Sequence, residues 1–352
     1  MNKNWITFGA LVFSLTAQGN DSTARIGTTG IELVKTDDIE MQKETLTISQ
    51  KEIRVEYDFY NKNSSDIDSL IAFPMPVYGF DLGVSAGTIN VGPVKNFKVS
   101  SNGVGVVTKS TYKALLNGKD ISHPLRTAGL NEEQIFQTFG GCKLNDDFSC
   151  EISDTTISKL KEVGAYTTEG VESDNKYPLG AAWSSYKYGP TWDVEQTLVW
   201  QQIFPAKKIT NIVHTYSPMV GSIYNYPVYD SVVESDYKIQ AAAISENNQE
   251  ACIDDSFKRA YHKKLLTLRA AGAKNIMVML KDVEYVLGTG RNWAGPIQDF
   301  TLRIKKENKD QLVSLCFPGK PVRIDPLTLE FKHKNFVPQD KLVVYFYSFH
   351  AD

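Results

Sequence analysis

The stretch KEIRVEYDFYNKNSSD, Lys51 to Asp66, constrains the fold of this chain more than any other. Ile53, Val55, Tyr57 and Phe59 fall on one side of an extended backbone; Arg54, Glu56 and Asp58 fall on the other. Side chains of a strand point alternately to its two faces, so the pattern predicts a half-buried β-strand. Asn61–Asp66 is a polar turn cluster, and strand character resumes at Asp68–Phe73. Pro74 and Pro76 then stop it, since neither can donate to a ladder. Thr197–Phe204 and Ile209–Tyr216, about Pro205-Ala206-Lys207-Lys208, read as a second hairpin. A third cluster closes the chain: Phe300, Leu302 and Ile304 alternate with Thr301, Arg303 and Lys305, and Leu312–Phe317, Thr328–Lys332 and Leu342–Phe349 follow. The last, LVVYFYSF, is apolar on both faces and is expected in the middle of a sheet.

Helical patterning is confined to a few places. Asn131 is placed to cap a helix carrying Ile135, Phe136 and Phe139, and Asp154 one carrying Ile157, Leu160 and Val163 up to Gly164. Asp254 or Asp255 starts a stronger helix, at about 254–271, in which Phe257, Ala260, Tyr261, Lys264, Leu265 and Leu268 share a stripe. Many short strands without regular strand–helix alternation predict a mainly β protein of two antiparallel β-sandwich-like domains. The first is expected over 20–240, with a partly helical insertion at about 105–185. The second is expected over 241–352, with the one helix.

The N-terminus carries export signals. Lys3 precedes an apolar run from Trp5 to Ala17, and Ala17-Gln18-Gly19 is a small-x-small cleavage site, so 1–19 reads as a secretory signal peptide and the mature chain is expected to begin near Asn20. Losing Lys3 takes the formal charge from -3 to one unit more negative. No later segment is apolar for long enough to span a bilayer as a helix, and no basic stripe points to nucleic acid. Cys142, Cys150, Cys252 and Cys316 all follow the signal segment. An even count in an oxidising compartment implies disulfides, and four cysteines allow three pairings. Cys142–Cys150 with Cys252–Cys316 is preferred, because each pair then stays inside one region.

Catalytic and metal signatures fail on inspection. Gly83-Val84-Ser85-Ala86-Gly87 matches the serine-hydrolase pattern, but the segment after it holds Gly92 and Pro93 and no helical stripe, and that chemistry needs a strand-to-helix elbow. A Gly-rich turn is the reading preferred there. There is no His-Glu-x-x-His, P-loop or dinucleotide fingerprint, and no cofactor is expected. Asp37, Asp38 and Glu40 lack the glycine and spacing of a calcium loop and read as a solvated acidic turn. His214 shares a strand face with Thr210, Ile212 and Tyr216, where a structural histidine is the expectation. No metal site is predicted.

NDSTARIGTTGIELVKTDDIEMQKETLTISQKEIRVEYDFYNKNSSD, WQQIFPAKKITNIVHTYSPMVG, ACIDDSF and NWAGPIQDFTL together resemble the domain of unknown function family numbered 4424. The resemblance spans nearly the whole mature chain outside 105–185. It implies an exported bacterial envelope protein of β architecture, with no established activity. Cys252 and Cys316 match the family's two late cysteines, and Trp293, Gly295, Pro296 and Asp299 its Trp-Gly-Pro segment. A fainter similarity, over Val55–Pro76 alone, is to the vault/inter-alpha-trypsin inhibitor domain.

RNWAGPIQDFTL, Arg291–Leu302, is the stretch of most functional interest. Gly295-Pro296 sets a turn, because proline fixes its own φ and restricts the residue before it. Trp293 is then expected to cover the end of a sandwich, with its indole N–H on a carbonyl. Its functional reading is a stacking surface for a sugar or peptide, with Asn292 and Asp299 orienting the ligand and Asp254 and Asp255 approaching from the helix. Two classes of function follow. One is a non-catalytic binding or structural module for an envelope protein or glycan. The other is an envelope hydrolase acting on cell-wall or polysaccharide material through paired carboxylates such as Asp255 and Asp299.

Overall fold

A computed structural model describes residues 21–27, 30–79, 93–141, 143–144, 150–167, 189–224, 249, 251–339 and 341–352. The strands longer than two residues are, in the first part of the chain, β1 (Ser22–Gly27), β2 (Gly30–Val34), β3 (Ile39–Ile48), β4 (Ile53–Asn61), β5 (Ile67–Pro74), β6 (Lys95–Ser101), β7 (Val104–Val106) and β8 (Lys109–Leu116). The later ones are β9 (Asp193–Phe204), β10 (Ile209–Ser217), β11 (Val220–Tyr224), β12 (Ile276–Val286), β13 (Ile297–Lys305), β14 (Leu312–Leu315), β15 (Val322–Asp325), β16 (Thr328–Phe336) and β17 (Lys341–Ala351). The helices among the described residues are α1 (Ser122–Thr127), α2 (Glu132–Phe136), α3 (Asp154–Glu162) and α4 (Asp255–Ala270). No helix among the described residues is long and apolar enough to cross a membrane.

The protein is mainly β. A seven-stranded sheet runs from Lys119–Asp120 through β8, β9, β5 and β1 to β2, with Tyr78–Gly79 paired to β9 off that path. An eight-stranded sheet has the order β15-β16-β13-β3-β4-β10-β6-β7, and a four-stranded sheet the order β11-β12-β17-β14. One core serves all three. Phe204 of the seven-stranded sheet meets Phe59 of the eight-stranded sheet edge-on at 5.9 Å, and Tyr285 of the four-stranded sheet meets Tyr57 hydroxyl to hydroxyl at 3.3 Å. The seven- and four-stranded sheets therefore both cover the inner face of the eight-stranded one, as in a β-sandwich.

The alternation of Lys51–Asp66 is realised in β4, whose inward Ile53, Val55, Tyr57 and Phe59 are wholly buried. The strand after it takes an unexpected place. β4 lies in the eight-stranded sheet and β5 in the seven-stranded one, so Asn61–Asp66 crosses between sheets. The expected hairpin about Pro205–Lys208 is corrected in the same way. β9 pairs with β5, β8 and Tyr78–Gly79, while β10 pairs with β4 and β6, so the two arms never pair with each other. A tight two-residue hairpin wants Gly or Asn at its centre, and Pro-Ala-Lys-Lys supplies neither. The two crossings stack instead. Asn61 Nδ2 donates to Phe204 O at 2.8 Å and to Ser65 O at 3.0 Å, and Ala206 N donates to Asp66 Oδ1 at 2.8 Å.

The pairing of β13 with β3 is parallel, a departure from the antiparallel expectation, and the other ladders among the described residues are antiparallel. It also joins strands from both sides of residue 240 in one sheet. The boundary expected at 240–241 lies outside the described residues, as do Cys142 and Ser85. Strand β17, expected in the middle of a sheet, lies between β12 and β14. Its Leu342, Val344 and Phe346 enter the main core, and Tyr345, Tyr347 and Phe349 face α4. The Cys252–Cys316 disulfide ties the approach to α4 to the end of β14. In the expected insertion, α1, α2 and α3 build a second core of Leu125, Ile135, Phe136, Phe139 and Leu160 against Trp192 and Val194. Asn131 caps α2 as expected, whereas α3 is capped by Ser153 rather than Asp154.

Candidate functional site

Residues 287–296 carry the chain from β12 in the four-stranded sheet to β13 in the eight-stranded sheet. A short 3-10 turn, Gly288–Asn292, begins the crossing, and Gly295 at φ 78° ends it in a conformation that suits glycine. Backbone bonds lace this crossing to the one between β2 and β3: Thr36 N donates to Asn292 O at 2.8 Å, and Ala294 N to Ile39 O at 2.9 Å. Arg291 Nη1 donates to Pro338 O at 3.2 Å, on the crossing from β16 to β17. Three inter-sheet crossings thus meet at one rim of the sandwich. They enclose a shallow cleft of about 320 Å³, lined by Lys35, Thr36, Asp37, Arg291, Trp293, Gly295, Pro296, Val337 and Pro338.

Trp293 forms part of the cleft wall but is only 3% exposed. Its ring lies 4.3 Å from that of Phe59 and 6.1 Å from that of Phe204, and its Nε1 donates to Asp21 O at 2.7 Å. The side chain is thus spent on sealing the core and holding the N-terminal strand, and offers little face for stacking. Asn292 is turned the same way, with Nδ2 donating to Ser22 Oγ at 2.9 Å. Asp299 lies on the outer face of β13, directly opposite Lys334, and the two form an ion pair. Asp254 caps α4, accepting from Phe257 N at 2.8 Å and Ser256 Oγ at 2.7 Å. The serine hydroxyl bond, then the backbone one, holds its carboxyl below the usual range. Asp255 is exposed in the first turn of the same helix. None of Asp254, Asp255 and Asp299 lines this cleft, nor a second one of about 390 Å³ between Thr47, Arg303, Lys305, Ile324 and Thr328.

Behind Trp293 lies a buried polar cluster. Asp21, Glu44, Tyr57, His214 and Tyr285 are all 0% exposed. A β-bulge between Met41 and Lys43 breaks the alternation of β3 and turns Glu44 inward. The His214 ring is surrounded by Tyr57, Phe73, Phe97 and Trp200, at centroid distances of 4.9 to 5.5 Å. Its Nε2 lies 3.4 Å from Asp21 Oδ2. Burial pushes the histidine down to about 3 and raises Asp21 well above the usual carboxylate range, with the nearby Glu44 charge adding to the rise. The structural reading of His214 thus acquires a partner in Asp21, the residue just before β1. Alternation along β10 signalled the burial of His214, but no local pattern pointed to Asp21. Lys35 and Val337, which frame the cleft with Arg291, carry no sequence signal of their own, since the cleft exists only where the crossings meet.

The family profile described as "Domain of unknown function (DUF4424)" matches residues 19–345. The chain belongs to this family. No curated protein matches it. Among solved structures, a protein described as a "putative nutrient binding protein" from Legionella pneumophila subsp. pneumophila str. Philadelphia 1 is similar at 13% identity, with 94% of this chain and 70% of that chain covered and a TM-score of 0.42.

Proposed function

We propose that this DUF4424 member is an exported cell-envelope protein that binds rather than catalyses, and that the rim cleft engages an envelope protein or glycan. The observation that carries the reading is the convergence of three inter-sheet crossings on one groove. Apolar Pro296, Val337 and Pro338 stand there beside the charges of Lys35, Asp37 and Arg291. Loops on a rigid sandwich, with a few polar groups around an apolar surface, are a common form of binding site. The disulfide is consistent with an oxidising compartment. Asp255 and Asp299, on which the hydrolase reading would depend, stand elsewhere, one exposed in the first turn of α4 and the other in an ion pair with Lys334.

The test is a cross-linking pull-down from native envelope with wild type and an Arg291→Ala/Val337→Ser double variant. Val337 is 65% exposed, so the fold tolerates the change. A partner recovered by wild type and lost by the variant is the expected result. Equal recovery by both removes the cleft from the proposal. Export and cleavage are tested separately: the protein should be recovered in the envelope fraction and not the cytosol, and N-terminal sequencing should start near Asn20, with an intact Met1 overturning the cleavage.

A further inference from the structure

Helix α4 has the sequence DSFKRAYHKKLLTLRA, with five basic residues against one acidic, in a chain whose net charge is -3. Its inner stripe, Phe257, Tyr261 and Leu265, packs on Val278, Leu280 and Tyr347 of the four-stranded sheet. The opposite stripe holds Arg259, Lys263, Leu266 and Ala270, all exposed, with Arg269 exposed on its flank. Leu266 is 51% exposed in the middle of these cations. Lys264 is neutralised by Asp310 at 2.9 Å. Lys258, Arg259, Lys263 and Arg269 form no ion pair among the described residues. The positive charge is therefore concentrated on the face turned away from the sheet, and the disulfide and the inner stripe hold the helix against that sheet.

We propose that the outer face of α4 is a docking surface for an anionic phospholipid bilayer. An unpaired cationic helix face attracts an anionic leaflet, and an apolar side chain among the cations can enter the headgroup boundary. Leu266 decides between lipid and a soluble polyanion, because phosphate recognition alone gains nothing from an exposed leucine. At sixteen residues, with this many charges, the helix lies on a surface and does not enter it. This surface is distinct from the rim cleft, so either assignment can fail without the other.

The test is sedimentation of the purified protein with vesicles of phosphatidylcholine alone or of phosphatidylcholine with phosphatidylglycerol, at low and high salt. Binding is expected only to the anionic vesicles, and salt should weaken it. Each basic residue near such a surface contributes about fivefold in partitioning, so Arg259→Gln/Lys263→Gln should lower binding by about thirtyfold. Leu266→Ser should also weaken it, whereas Lys263→Arg should bind like wild type. Unchanged thermal melts will show that the variants fold. Equal binding to both vesicle types, or a double variant that binds like wild type, overturns the proposal. Binding to heparin that anionic vesicles do not displace also overturns it, and makes the face a site for soluble polyanions.

Discussion

Asp21→Asn should make the protein acid-sensitive in a way that wild type is not. In the unfolded chain His214 titrates near 6.5 and Asp21 near 3.8. In the folded chain burial lowers His214 to about 3 and raises Asp21 well above its ordinary value. Above about pH 4, and below both 6.5 and the raised value of Asp21, the unfolded wild type holds one proton on the histidine, and the folded wild type holds one on the aspartic acid. The counts are equal, so the pair contributes no pH dependence to wild-type stability in that window. An internal ion pair would carry the same single proton, so the result does not depend on which atom holds it. In Asp21→Asn only the histidine remains. Its folded value lies below its unfolded value, so the unfolded state binds more protons and stability falls as pH drops below 6.5. The slope is about 1.4 kcal/mol per pH unit, which gives a loss of about 3 kcal/mol by pH 4. Urea denaturation of both proteins from about pH 4 to about pH 8 measures the difference, in which the titrating groups that are not coupled to Asp21 cancel. A stability difference that does not vary with pH would refute the reasoning, since it would mean that Asp21 ionises in the fold as it does in the unfolded chain.

Other perturbations test other links. Replacing both Cys252 and Cys316 by serine opens a loop of separation 64, and the chain-entropy model gives a loss of about 4 kcal/mol, read by urea denaturation of the non-reduced proteins. Trp293→Phe should cost about 1–2 kcal/mol, from the lost bond to Asp21 O, and Trp293→Ala about 3–5 kcal/mol, both without selective loss of ligand binding in the folded fraction. Asn61→Ala removes two side-chain bonds, one to Phe204 O on the facing crossing and one to Ser65 O on its own, and should lower stability by about 2–3 kcal/mol in thermal or urea melts; a change under about 0.5 kcal/mol would show that the crossings hold without it.

Period-two and helical patterning were legible because they depend on neighbours two to four residues away. Ile53–Phe59 and the Phe257–Leu265 stripe needed nothing else to declare their inward faces, and the turn at Gly295-Pro296 follows from proline's own ring. Capping was readable to within one residue, as Asn131 and Asp254 show, and Ser153 in place of Asp154 marks the limit. Glu44 was not readable as a core residue, because a bulge at Met41–Lys43 shifts the phase of β3, and a bulge is set by the partner strand as much as by its own residues.

What the sequence alone determined is therefore local: which segments are strands, which face of each is apolar, and where α4 starts. Alternation says that a strand has an inside; it does not say which strand lies beside it. A crossing and a hairpin present the same apolar faces to a core, so Thr197–Phe204 and Ile209–Tyr216 read alike for either arrangement. Only the tertiary structure sent these arms to different sheets, paired β3 with β13 across more than two hundred residues, and brought Asp21 to His214. The rim cleft belongs to that second category. Its walls come from three parts of the chain that meet because the sheets stack, and no stretch of sequence contains it.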